Sequence, residues 1–159
     1  MEIKPFYKNI SEQHIQRFLH FHSVEELSHL LNIDAPILKQ VLEEPKRYHE
    51  FPVAKRTGGK RIIHSPSRPL KDIQKRLSIY LTRIYNAYAP DQVHGFIKTS
   101  KQQPRNIITN ATKHVDRSYV LNIDLENFFP SITAETIKSA LINLPFHMYS
   151  DEGASMISL

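Results

Sequence analysis

The stretch Tyr119-Val-Leu-Asn-Ile-Asp-Leu-Glu-Asn-Phe-Phe-Pro-Ser-Ile132 constrains the fold of this chain more than any other. Tyr119, Val120, Leu121 and Ile123 favour a strand, and Pro130 stops any ladder. Asp124 interrupts the apolar run, and a buried carboxylate without a partner is expensive. Two readings are open. Asp124 caps a turn or helix after the strand, or it stands at the strand end against a divalent cation. Oxygen ligands suit Mg2+, which is typically bound by one or two carboxylates plus substrate phosphates.

Charge is distributed unevenly around that stretch. Residues 1–52 carry six Lys/Arg against eight Asp/Glu, residues 53–114 thirteen against two, and residues 115–159 two against six. A basic block between acidic flanks points to a polyanion, bound less tightly as salt rises. The 159 residues are enough for one domain, or a small domain and part of another. The chain has no cysteine, which excludes disulfides and thiolate zinc sites and fits a reducing cytosol. No apolar run approaches a membrane span, and residues 1–6 lack the apolar core of a signal peptide. The expected location is therefore cytoplasmic, with no membrane partner.

Residues 11–44 read as short helices. Ser11 caps the first, with Ile15, Phe18 and Leu19 on one face. Ser23-Val-Glu-Glu26 fits a capping box, followed by Leu27, Leu30 and Leu31. Asp34 caps a third helix that Pro45 ends. Residues 24–42 also read as helix-turn-helix around Asn32-Ile-Asp34. A recognition helix needs more positive charge than Lys39 alone, and this one ends in Glu43-Glu44. The favoured reading is a helical appendage packed on the domain behind it. His14, His20, His22 and His29 make no convincing metal set.

Tyr48 to Ser65 reads as a β-hairpin turning at Thr57-Gly58-Gly59, where glycine supplies positive φ. Ser67 caps a longer helix with Pro69 in its first turn and a stripe of Leu70, Ile73, Leu77, Leu81 and Ile84. Lys71, Lys75, Arg76 and Arg83 lie largely off the stripe. Residues 97–104 read as a polar, basic loop. Asn110 and His114, four apart, share a face on one helical turn. Thr133 caps a helix with Glu135 in its first turn and Ile137, Ala140, Leu141 and Leu144 on one side. The tail after Pro145 is weakly patterned.

Together these pieces resemble the reverse transcriptases, and the bacterial retron branch in particular. Asp-Leu-x-x-Phe-Phe-x-Ser-Ile resembles their first catalytic motif. Asn110-Ala-Thr-Lys-His114 resembles a retron signature, and Lys55-Arg-Thr-Gly-Gly-Lys-Arg61 resembles the fingers hairpin. Pro66 to Gln74 and Val93-His-Gly-Phe96 continue the likeness, which covers roughly residues 48–144. The segment 97–104 departs from it as an insertion, and leaves the role of Arg105 open.

The resemblance implies RNA-directed DNA synthesis with Mg2+ and deoxynucleoside triphosphates. It implies Asp124 as the catalytic carboxylate and metal ligand, with the Leu125 backbone carbonyl beside it. Lys55 and Arg61 would contact the triphosphate, and Phe129 would exclude a 2′-hydroxyl. Lys60, Arg68, Lys71, Lys75, Arg105, Asn110 and His114 would contact nucleic acid. Implied partners are a structured noncoding RNA as template and primer, the DNA product, and an effector protein in phage defence.

The implied fold is α+β and an incomplete right-hand polymerase. Residues 1–46 form a helical appendage, 47–115 the fingers, and 116–159 the start of the palm. The two-metal chemistry of such a palm needs a second acidic cluster, in this family an Asp-Asp pair in a Tyr-x-Asp-Asp setting. The chain has no adjacent Asp-Asp, so it is expected not to polymerise alone. The alternatives are a non-catalytic RNA-binding module from a truncated reverse transcriptase, and a helix-turn-helix DNA-binding regulator.

Overall fold

The computed structural model of the chain describes residues 10–56, 58–97 and 99–159. The reading of residues 1–6, and Thr57 of the hairpin turn, lie outside the described residues.

Three short helices come first: α1 (Glu12–His20), α2 (Val24–Leu31) and α3 (Ala35–Glu43). Ser11 accepts from the His14 amide and Ser23 from the Glu26 amide, each satisfying an orphan donor of a first turn. The return bond expected of a capping box is displaced by one residue. Glu26 Oε2 accepts from the His22 amide at 2.8 Å rather than from the cap residue. Asn32 closes α2 in the left-handed region at φ 51, with Asn32 N–H bonded to His29 O and Ile33 N–H to Ser28 O. That pair of bonds is a Schellman motif. Asp34 occupies the cap position of α3 without a side-chain capping bond, and proline lies in the first turn.

The hairpin forms as β1 (Tyr48–Ala54) and β2 (Lys60–Pro66), antiparallel, with Tyr48 opposite Pro66 and Ala54 opposite Lys60. Gly58 and Gly59 stand at φ 91 and 79, which a side chain would strain. Both faces are largely exposed, Phe51 and Ile62 included. The hairpin therefore projects from the core and is tied at its base. Gln74 Nε2 donates to the Tyr48 hydroxyl at 2.9 Å, and the Ser67 amide to Arg47 O at 2.7 Å.

Helix α4 (Arg68–Tyr88) follows, with proline in its first turn and no side-chain bond from the cap residue Ser67. It buries Leu70, Ile73, Arg76, Tyr80 and Ile84. The expected stripe is thus rotated. Leu77 and Leu81 are only half-buried, while Arg76, expected off the stripe, is 4% exposed. Tyr80 stacks on Phe18 of α1 with centroids 4.5 Å apart. A charged side chain is tolerated there because its donors are met. Arg76 bonds Asp72, one turn earlier, and the Leu31 and Asn32 carbonyls at the end of α2.

After α5 (Ile107–Ala111), a 3-10 turn (Thr112–His114) and α6 (Phe128–Ser131), the chain returns to the core in α7 (Ala134–Ile142) and α8 (Asp151–Ser158). Thr133 caps α7 as expected. The helix ends before Leu144, which is exposed, and its buried residue is Leu141. Helix α8 was not legible as such. Ser150 caps it, Lys138 of α7 pairs with Asp151 at 2.7 Å, and Gly153 lies against the Phe21 carbonyl. One hydrophobic core joins α1–α4, α7 and α8.

The described residues are α+β, with a two-stranded sheet, β1–β2. The expected strand at 119–123 is absent among them. These residues adopt no regular secondary structure and pair with no strand, with Tyr119 94% and Leu121 84% exposed. A strand is defined by lateral hydrogen bonds as well as by side-chain preference, and no neighbouring strand is brought to this segment.

Candidate functional site

The hairpin holds its cations outward. Lys55 follows β1, its amide bonded to Gly59 O at 3.0 Å across the turn; Lys60 opens β2; Arg61 stands opposite Val53. All three are exposed, and their side chains make no hydrogen bond or ion pair among the described residues. Midway along the ribbon Glu50 and His64, directly opposite, approach to 3.0 Å. Arg68, Lys71 and Lys75 are exposed on α4. Helix geometry turns them away from the buried Leu70, Ile73 and Ile84. A projecting ribbon and a helix face of one sign are suited to a polyphosphate.

The polar loop after α4 is closed upon itself. Arg105 Nη1 donates to the carbonyls of Pro90 (2.6 Å) and Val93, and Nη2 to Ala89 O at 3.4 Å. Lys113 pairs with Asp91 at 3.0 Å, and that hydrogen bond, with the lysine charge, holds the Asp91 carboxyl below its usual range. Asn106 and Thr109 cap α5 reciprocally. Asn110 lies in α5 and His114 in the 3-10 turn that continues it, both exposed.

Asp124 is exposed, and its Oδ1 accepts the Leu125 amide at 3.0 Å. The Phe129 ring, 68% exposed, meets Phe128 at 5.4 Å and Phe96 at 6.2 Å, both edge-on. Phe128 is no part of the core either, being 47% exposed. The structure therefore joins two distant motifs, the Gly95-Phe96 turn and the Phe128-Phe129 pair. No hydrogen bond, ion pair or ring contact among the described residues joins the hairpin cations to Asp124.

Mg2+ needs several oxygen donors held together. Among the described residues no group of three or more His, Asp or Glu could hold a metal ion. Among the described residues, these side chains do not compose a two-metal centre.

Arg76 and Tyr80 of α4 are partners of the α2 end that local sequence patterning does not reveal. Their only signal in the sequence was the four-residue spacing Asp72, Arg76, Tyr80.

The Retron Mx65 reverse transcriptase of Myxococcus xanthus is 38% identical over 104 residues, 65% of this chain and 23% of that protein. The Retron Ec86 reverse transcriptase of Escherichia coli is 34% identical over 104 residues, 64% of this chain and 30% of its own. The chain is a relative of the retron reverse transcriptases. The Retron Se72 reverse transcriptase of Salmonella heidelberg extends the retron match to 124 residues, 77% of this chain, at 30% identity. The chain spans between 23% and 31% of the length of these three retron proteins. No family model matches it, and no solved structure does. No helix among the described residues is long and apolar enough to cross a membrane.

Proposed function

We propose that this chain carries the nucleotide-handling and template-handling part of a retron-type reverse transcriptase, which copies a structured noncoding RNA into DNA. In this reading residues 1–46 are an appendage, 47–115 the fingers and 116–159 the start of the palm. The observation that carries it is the exposed cationic hairpin, with Lys55, Lys60 and Arg61 free of side-chain partners among the described residues. Lys55 and Arg61 would close on a triphosphate through charge-assisted bonds. Phe129 would face the sugar and Asp124 would be the first metal carboxylate, with the Leu125 carbonyl beside it. Arg68, Lys71 and Lys75 would follow the RNA backbone, with Asn110 and His114 nearby. The setting would be a bacterial cytoplasm, and the enzyme would act in phage defence with an effector protein.

The chain by itself does not polymerise in this reading, because it has no adjacent Asp-Asp to complete the metal site. Primer extension by the purified chain with Mg2+ and deoxynucleoside triphosphates tests this, and robust extension contradicts it. A second reading, a non-catalytic RNA-binding module, is favoured by the thirteen-to-two basic excess over residues 53–114, which needs no metal. Adding a second polypeptide that carries the Tyr-x-Asp-Asp hairpin separates the two. Restored extension that is lost in Asp124→Asn supports the polymerase; unchanged RNA binding with no extension supports the module.

A further inference from the structure

The arginine that ends the polar loop works inward. Its guanidinium reaches the carbonyls of Ala89, Pro90 and Val93, and its own amide donates to Thr99 Oγ1 at 3.0 Å. Arg105 thereby ties the far end of the loop to its beginning, and the Lys113–Asp91 pair adds a second tie at 3.0 Å. A guanidinium can serve several carbonyls because its five donors lie in one rigid fork; an ammonium has no such geometry.

Between the ties stands Phe96. Its backbone is in the left-handed region at φ 59, and its ring is 96% exposed while meeting Phe129 edge-on at 6.2 Å. Local preference disfavours that backbone for a residue with a side chain, and burial contributes almost nothing at such exposure. Loop closure is what remains to hold the ring there.

We infer that Arg105 is a positioning residue that sets Phe96 beside Phe129, and does not bind an RNA phosphate. The inference rests on the proposed function only in treating Phe129 as nucleotide-facing. In that setting Phe96 is a second ring beside the residue that screens the sugar.

The test is Arg105→Lys, which keeps the charge and removes the fork. Nuclear Overhauser contacts between the Phe96 and Phe129 side chains are recorded beside those of Phe18 and Tyr80. The Phe96–Phe129 contact is expected to be lost with the Phe18–Tyr80 contact kept, and the salt dependence of RNA binding unchanged. The milder Thr99→Val removes only the acceptor of the Arg105 amide and should weaken the same contact. An undiminished ring contact in both variants overturns the inference. So does a salt slope that falls by about one in Arg105→Ala and returns in Arg105→Lys, the signature of a phosphate ligand. Absence of RNA binding by the unaltered chain would count against the proposed function, while the ring contact is read without RNA.

Discussion

The hydroxyl of Tyr80 donates to the carbonyl oxygen of Leu30 across 2.8 Å. One turn earlier on α4, Arg76 reaches Leu31 O at 2.5 Å and Asn32 O at 2.8 Å. The last carbonyls of a helix have no partner within it, and here two side chains of a distant helix supply partners. The N-terminal helices are thus bound to α4 by polar contacts as well as by the core.

Burial raises the Tyr80 pKa from 10.0 to about 12. The folded value lies above the unfolded one, so the neutral phenol stabilises the fold fully below pH 10. That contribution should be lost as pH rises from 10 towards 12. Urea melts across this window should show the decline, and Tyr80→Phe should flatten it while costing about 1 kcal/mol at neutral pH. An unchanged pH dependence in Tyr80→Phe would assign the decline to other groups.

Arg76→Leu should destabilise the chain by about 3 kcal/mol, because it strands a partly buried Asp72 and two helix-end carbonyls. Denaturant unfolding measures this. Arg83→Leu, an exposed change on the same helix, should stay within about 0.5 kcal/mol.

Gly153→Ala should cost about 1–3 kcal/mol, since a Cβ there would overlap the Phe21 carbonyl oxygen. Gly95→Ala, where a Cβ meets open space, is the matched control. Equal melting temperatures for the two variants would show that α8 does not dock as described.

The hairpin cations should matter for binding and not for folding. Lys55→Ala and Arg61→Ala should each leave stability within about 0.5 kcal/mol. If each loses one charge-assisted bond of about 1.5 kcal/mol to a triphosphate, affinity falls roughly tenfold. Fluorescence anisotropy with a labelled deoxynucleoside triphosphate and Mg2+ reads the change. Full affinity in the double variant would exclude the hairpin from the triphosphate site.

What could be read along the chain was what neighbours in sequence decide. Ser11, Ser23 and Thr133 each accept a backbone amide three residues on, and Gly58-Gly59 turns a ribbon whose arms lie seven residues each side. Capping and tight turns need only a few consecutive dihedrals, so local chemistry suffices. For Asp124, Phe129, Lys55 and Arg61, only a resemblance of their motifs to those of the reverse transcriptases was legible. Their spatial relation was not. Tertiary structure alone decided that Arg76 is buried, that Arg105 turns inward, and that Phe96 reaches Phe129. It also decided that the residues around Leu121 stay unpaired, because a strand propensity becomes a strand only where another backbone supplies the hydrogen bonds.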